Sequence, residues 1–125
     1  MVDTLFIFIG AGFGGVLRHW FSSLTHLLLG RQFPYGTLFV NVTGSLVMGF
    51  LFALFIERLS HIGPHMRSFL LIGLLGGYTT FSSFSIETFS LFERSEFMLA
   101  FTNIFLSLFL CIVAAWLGVI AGRQL

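Results

Sequence analysis

The fold of this chain is decided at residues 76–85, which run Gly76-Gly77-Tyr78-Thr79-Thr80-Phe81-Ser82-Ser83-Phe84-Ser85. This stretch of glycines and hydroxyl side chains lies in the middle of a segment that is otherwise built of Leu, Ile and Phe. Inside a bilayer, non-helical backbone is tolerated only where it is buried in protein or lines a cavity. The stretch therefore predicts a membrane helix that is broken near its middle for a functional reason.

The composition around this stretch is that of an integral membrane protein. Hydrophobic residues make up 57% of the 125 residues and charged residues 9%, whereas soluble domains carry about 25% charged residues. The mean hydropathy is +1.01. A net charge of +1 gives no reason to expect a nucleic-acid partner, and no Ser-His-Asp or Cys-His arrangement supports an enzyme. We expect a single transmembrane domain over residues 1–125.

Four apolar stretches are long enough to cross a bilayer, which takes about 20 residues at a rise of 1.5 Å per residue. Short polar connectors join them. The sequence thus predicts an all-α, multi-pass protein of the cell membrane, with four transmembrane helices and both termini on one side. The predicted spans are residues 5–29, 36–56, 67–92 and 97–121.

The positive charges do not favour one orientation in the membrane. Cationic residues near the ends of the spans normally decide which side faces the cytoplasm. Here each side would carry three arginines, and the chain has no lysine. Two alternatives stay open: one fixed orientation, or dual topology with oppositely inserted chains paired as an antiparallel dimer. The side with the termini would hold Arg58, Arg67 and Arg123, and the opposite side Arg18, Arg31 and Arg94.

Polar side chains inside the predicted spans are candidates for function. Arg18 either snorkels to the interface or attracts anions into a water-filled vestibule. Thr37 and Asn41 share one face of the second helix, since they are four residues apart. Asn41 either bonds a neighbouring helix or donates its amide N–H to a permeating anion. For Glu87, a structural carboxyl and a functional one remain equal alternatives.

The first and fourth spans carry residues at four-residue spacing. Gly10 and Gly14 predict a face on which a neighbouring helix packs closely. Asn103, Ser107 and Cys111 form either a polar stripe or a packing face of small residues on the fourth span.

Phe81 and Phe84 stand out among eighteen phenylalanines because they lie in the broken, hydroxyl-rich stretch. Three residues apart, they project from one helix face, and the edge of an aromatic ring carries positive charge that favours an anion. A helix that restarts after a break exposes N–H groups and a positive dipole end, while the preceding half offers carbonyls to a cation. The residues therefore indicate an ion site. Hydroxyl donors would come from Thr80 and Ser83 among others.

Together these residues resemble the Fluc (CrcB) family of fluoride channels, over the whole chain. Less specific matches are Gly14-Gly15 followed by Arg18, and Pro34-x-Gly36-Thr37-Leu38 with Asn41. The most specific match is Gly76-Gly77-x-Thr79-Thr80-Phe81-Ser82-x-Phe84-Ser85.

The resemblance implies a fluoride-selective channel for passive fluoride export, and so for resistance to fluoride toxicity. It implies an antiparallel, dual-topology homodimer in membrane lipid, with two pores that each use both chains. It also implies a structural sodium ion at the dimer interface, held by backbone carbonyls of Gly76 and Thr79 from both subunits.

The resemblance also assigns side chains to the fluoride path. Cys111 departs from the serine expected there, and a thiol is a weak donor. The pore residues implied are Phe81, Phe84, Asn41, Ser107, Thr80 and Ser83. The residues implied for the vestibule or its support are Arg18, Thr37, Glu87 and Asn103.

Two other functions remain open at this point. A small multidrug transporter also has four short spans and dual topology, but relies on an acidic residue within the first span. The only acid there is Asp3 at its start, and the mid-span acid is Glu87. A non-transporting scaffold subunit would use the glycine faces, with the polar stretch as a mere kink.

Overall fold

The computed structural model describes residues 1–59 and 61–125. Over these ranges the regular structure is helical, without a strand. The prediction of an all-α protein with four spans is confirmed, and each span is slightly longer than predicted. The segments long and apolar enough to cross a membrane are Val2–Leu29, Tyr35–Arg58, Pro64–Glu93 and Phe97–Arg123.

The second and third spans are not uniform α-helices. Each contains a π-helical segment, and near the end of the second span the Leu59 N–H donates to the Leu54 carbonyl, five residues back, at 2.6 Å. The third span starts with Pro64, which suits a first helical position because it lacks an N–H. The elements are α1 (Val2–Leu29), α2 (Tyr35–Phe52), a π segment (Ala53–Arg58), α3 (Pro64–Arg67), a second π segment (Ser68–Leu74), α4 (Leu75–Tyr78), α5 (Phe81–Glu93) and α6 (Phe97–Arg123).

Glycines let α1 pack directly on the backbone of the third span. A Cβ on Gly14 would overlap the carbonyl oxygen of Leu74, and one on Gly77 would lie 2.5 Å from the carbonyl oxygen of Ala11. Gly10 lies against the same span. The predicted packing face of Gly10 and Gly14 is therefore confirmed.

The helices α2 and α6 approach each other in the same way. A Cβ on Gly49 would overlap the backbone of Ala115, and one on Gly118 would overlap the carbonyl of Leu46. Because neither contact leaves room for a methyl group, the two backbones lie in contact. This packing places the polar residues of α2 opposite those of α6.

Ionic contacts bring both termini to one end of the bundle. Asp3 contacts His65 at 2.6 Å, and the His65 ring stacks on Phe6 with centroids 5.3 Å apart. At the same end, Arg123 donates two hydrogen bonds of 2.7 Å to Glu57. Such exposed pairs contribute little stability, but they show that the two termini lie on one side, as predicted.

Much of the apolar surface of the chain is exposed. At most 28% of the residues in the most apolar part of any span are buried. Large side chains such as Phe8, Phe105 and Trp116 point outward. An apolar surface of this extent needs a non-aqueous surrounding or another protein surface.

Candidate functional site

Two extended residues lie between α4 and α5. Thr79 has φ −85° and ψ 158°, and Thr80 has φ −152° and ψ 120°. The Thr80 hydroxyl caps α5, because its oxygen accepts the Ser83 N–H at 3.2 Å, as threonine does at a helix N-terminus. We refer to these two residues as the 79–80 segment. It leaves the first N–H groups of α5 without helical partners.

Asn41 holds the 79–80 segment in place from α2. Its Nδ2 donates to the Thr80 carbonyl at 2.9 Å, and its Oδ1 accepts the Thr80 N–H at 2.8 Å. Both polar backbone groups of Thr80 are thereby satisfied in a residue that is only 8% exposed. Because an amide has two N–H protons, one remains for another acceptor.

A cavity of about 330 Å³ lies beside this segment, and we call it the central cavity. The rings of Phe81 and Phe84 form part of its wall, with centroids 5.4 Å apart and planes at 50°. Phe81 is 74% exposed, so the cavity is open on that side. Of the predicted pore residues, the central cavity is lined by Asn41, Thr80, Phe81, Phe84 and Ser107.

Two sulfur-containing side chains complete the wall of the central cavity. Cys111 lies one turn beyond Ser107 on α6, and Met48 faces it from α2. Ser45 of α2 lines the same cavity. A thiol is a weak hydrogen-bond donor, so the cavity wall beyond Ser107 on α6 offers a weaker donor than a serine would.

A chain of hydrogen bonds runs from the central cavity into the protein. Ser107 donates to Asn103 Oδ1 at 3.3 Å, and Asn103 Nδ2 donates to the Thr88 hydroxyl at 2.8 Å. Thr88 in turn donates to the Phe84 carbonyl at 2.7 Å. Asn103 is only 2% exposed, so it supports Ser107 from behind and does not face the cavity.

A second cavity of about 500 Å³, the outer cavity, gathers the other predicted residues except Asn103. Arg18, Thr37, Ser83 and Glu87 all line it. Ser83, which was predicted as a pore residue, thus lines the outer cavity and not the central cavity. The Thr80 hydroxyl donates to Ser83 at 3.2 Å, and this bond links the walls of the two cavities.

Basic side chains line the same cavities as Glu87. His26 and Arg31 line the outer cavity and also a neighbouring cavity of about 190 Å³, which Arg94 and Glu87 share. Oε1 of Glu87 is buried and has no hydrogen-bond partner among the described residues. With Arg18 nearby, cationic groups outnumber this one carboxyl, so an anion is favoured in the outer cavity.

The carbonyls of Gly76 and Thr79 fit the donor set of a hard cation, which takes oxygen ligands. A continuous helix would bond the Gly76 carbonyl to the Thr80 N–H, but that N–H goes to Asn41. Likewise, the Ser83 N–H goes to the Thr80 hydroxyl. Over the described ranges, no backbone hydrogen bond from outside the helices reaches either carbonyl oxygen. Gly76 is exposed, with open space where a side chain would stand.

Comparison with known proteins identifies the family. A family model described as "CrcB-like protein, Camphor Resistance (CrcB)" matches residues 5–119. The chain belongs to the CrcB family. Its resemblance to that family, seen in the motifs, is thereby confirmed.

Three CrcB relatives are each named "Fluoride-specific ion channel FluC". One from Coxiella burnetii (strain CbuK_Q154) is 59% identical over 124 residues, covering 99% of this chain and 100% of the relative. One from Shewanella amazonensis is 46% identical over 118 residues, covering 94% of each chain. One from Methylococcus capsulatus is 44% identical over 119 residues, covering 95% of this chain and 52% of the relative. These relatives are named as ion channels and not as enzymes, which agrees with the expectation from the sequence.

Sequence reasoning missed some residues of this CrcB site. Thr88 gave no signal, because its bond to Asn103 of α6 depends on how α5 and α6 pack together. His26 and Met48 lie in cavity walls made by several helices. Arg31 was noted only as a charge in a connector, although it lines the outer cavity and the neighbouring cavity of about 190 Å³.

Proposed function

We propose that this chain is a fluoride-selective ion channel that lets fluoride leave the cell passively, and so gives resistance to fluoride. One observation carries the proposal. The central cavity gathers hydroxyl, amide and aromatic-edge groups beside the start of α5. Three relatives that match nearly all of this chain are named as fluoride-specific channels, which supports the same assignment.

Entry of the anion is explained by the outer cavity. Arg18 and Arg31 line it together with the single carboxyl of Glu87, and a cleft in which positive charge predominates concentrates anions. From there the hydroxyls of Ser83 and Thr80 lead to the central cavity. They supply hydrogen bonds that replace water lost by the ion.

Passage through the central cavity requires contacts that replace hydration but still release the ion. The second N–H proton of Asn41 and the hydroxyl of Ser107 are donors on its wall. The ring edges of Phe81 and Phe84 add weaker positive charge. A series of moderate contacts favours a small, strongly hydrated anion without trapping it.

We propose further that the functional unit is an antiparallel, dual-topology dimer in which the 79–80 segment breaks the third span inside the membrane. The equal arginine count on the two sides supports dual topology. The exposure of Phe81 and Gly76, both beside the 79–80 segment, gives a second copy a surface to cover. Each pore would then be completed by both chains.

The dimer interface also suits a structural sodium ion. The carbonyls of Gly76 and Thr79 from both subunits would hold it, because their helical partners are bonded elsewhere. When bound, the sodium ion would offset the partial negative charges of the carbonyl oxygens that the two chains bring together.

The channel proposal is tested by fluoride efflux from liposomes that contain the purified protein, followed with a fluoride electrode. Fast fluoride loss with negligible chloride loss is the expected result. A folded, reconstituted protein that releases no fluoride contradicts the proposal and brings back the transporter and scaffold alternatives.

The dual-topology proposal is tested with a cysteine at Ser95, in the connector between α5 and α6, in a Cys111→Ser background. Labelling of Ser95→Cys from both faces of the membrane is expected. Labelling from one face only would contradict dual topology and leave the channel proposal standing.

A further inference from the structure

Thr88 lies outside the central cavity, but it is bonded to Phe84 of the cavity wall and, through Asn103, to Ser107 of the same wall. Its hydroxyl donates to the Phe84 carbonyl at 2.7 Å and accepts from Asn103 at 2.8 Å. We propose that Thr88 is a positioning residue of the fluoride path, which fixes the proton direction of Ser107 through Asn103. This inference rests on the proposed channel function and deepens it.

The direction of the Ser107 proton follows from the single proton of Thr88. Because that proton goes to the Phe84 carbonyl, the Thr88 oxygen can only accept from Asn103. Nδ2 of Asn103 must therefore face Thr88, and its Oδ1 must face Ser107. A group beside Asn103 Oδ1 must donate, so the Ser107 hydroxyl proton points away from the cavity in the absence of an ion.

This arrangement makes Ser107 a donor that an anion can recruit. The bond from Ser107 to Asn103 is 3.3 Å long, beyond the usual O–H···O range of about 2.5–3.0 Å, and is weak. An anion in the cavity accepts a stronger, charge-assisted bond, so the proton turns toward it. When the anion leaves, the proton returns to Asn103. Ser107 thus binds fluoride against a competing acceptor, which keeps release fast.

Removing the Thr88 hydroxyl is expected to abolish this competition. In Thr88→Val, which keeps the shape of the side chain, the buried amide of Asn103 loses its acceptor. The amide then turns so that Nδ2 donates to Ser107, and the Ser107 proton points permanently into the cavity. We expect the half-saturating fluoride concentration for efflux to fall about threefold or more, the size expected for one hydrogen bond. The maximal efflux rate should fall as well, because release is slower.

Three comparisons separate this role from a structural one. Thr88→Ser keeps the hydroxyl and should restore both kinetic parameters. In a Ser107→Ala background, Thr88→Val should have no further effect on half-saturation, since coupled residues are non-additive. Thr25→Val is the matched control, because Thr25 is also buried and its hydroxyl, among the residues that the structure describes, bonds only the Phe21 carbonyl four residues back. Its half-saturation should equal that of the wild type.

The experiment is efflux from liposomes over a series of internal fluoride concentrations, with the wild type in the same series. A folded Thr88→Val protein with wild-type half-saturation overturns the inference, and so does additivity with Ser107→Ala. Should Thr88→Val fail to fold, Thr88→Ala removes the same hydroxyl and gives the same decision. A wild type that releases no fluoride contradicts the channel proposal itself, so the two failures are distinguishable.

Discussion

Replacing Asn41 by leucine tests the most consequential contact of the site. Asn41→Leu keeps the approximate volume but removes both hydrogen bonds to Thr80, of 2.9 and 2.8 Å. The N–H and the carbonyl of Thr80 are then unpaired in a residue that is 8% exposed. The two bonds are the only side-chain hydrogen bonds from α2 to the 79–80 segment among the described residues.

The size of the effect follows from these two groups. An unpaired buried backbone group costs about 1–3 kcal/mol, so two groups cost about 2–6 kcal/mol. Interhelical hydrogen bonds in membranes average about 0.6 kcal/mol, which sets a lower bound of about 1 kcal/mol for the pair. Against a total stability of about 5–15 kcal/mol, even the lower bound is measurable, and about 2 kcal/mol lowers the ratio of ordered to disordered 79–80 segment more than tenfold.

Two assays measure this effect. The midpoint of thermal unfolding in detergent, followed by circular dichroism, should fall by about 3 °C or more in Asn41→Leu. Fluoride efflux from liposomes should fall about tenfold or more. Ser45→Ala is the control for thermal unfolding, since Ser45 lines the same cavity one turn along α2 but does not bond Thr80. A folded Asn41→Leu protein with wild-type midpoint and wild-type efflux would refute the role of Asn41.

Three further predictions concern the pore, the packing and the ion. Phe81→Ile and Phe84→Ile should each slow fluoride efflux strongly while the protein stays folded, because an aliphatic side chain lacks a positive edge. The control Phe105→Ile, which changes an exposed ring on α6, should leave efflux unchanged. Wild-type efflux in both pore variants would refute the assignment of the two rings to the pore. Gly49→Ala should lower the midpoint of thermal unfolding, because the added Cβ overlaps the backbone of α6. Gly12→Ala should leave the midpoint unchanged, because there is open space where its Cβ would stand. Equal midpoints for the two variants would contradict this packing. Replacing all Na⁺ by a large organic cation should lower the unfolding midpoint of the wild type, as loss of a native-state ligand does, and an unchanged midpoint would contradict a sodium site.

Some features follow from local properties of the chain and could be predicted. The four spans are visible because crossing a bilayer needs a long apolar run, which is a property of consecutive residues. Close packing at Gly10 and Gly14 is visible because their spacing puts both on one helix face. The family is visible because the run from Gly76 to Ser85 is contiguous and specific.

Other features depend on pairs of helices and could not be predicted. The sequence left Asn41 with two roles, and only the position of α5 beside α2 shows that its amide bonds Thr80. Ser83 was predicted as a pore residue, but its place in the wall of the outer cavity depends on where α1 and α2 lie beside α5. The π-helical segments gave no signal, because hydropathy does not distinguish a π-helix from an α-helix over segments of 6 and 7 residues.

The sequence by itself determined the environment, the number of spans and the family, because hydropathy and contiguous motifs are local properties. Only the tertiary structure decided which polar groups meet. The chain from Ser107 through Asn103 to Thr88 joins α6 to α5, and its proton order depends on Thr88 also bonding Phe84. A hydrogen bond between helices is fixed by distance and direction to within a few tenths of an ångström, and no spacing along one helix specifies these.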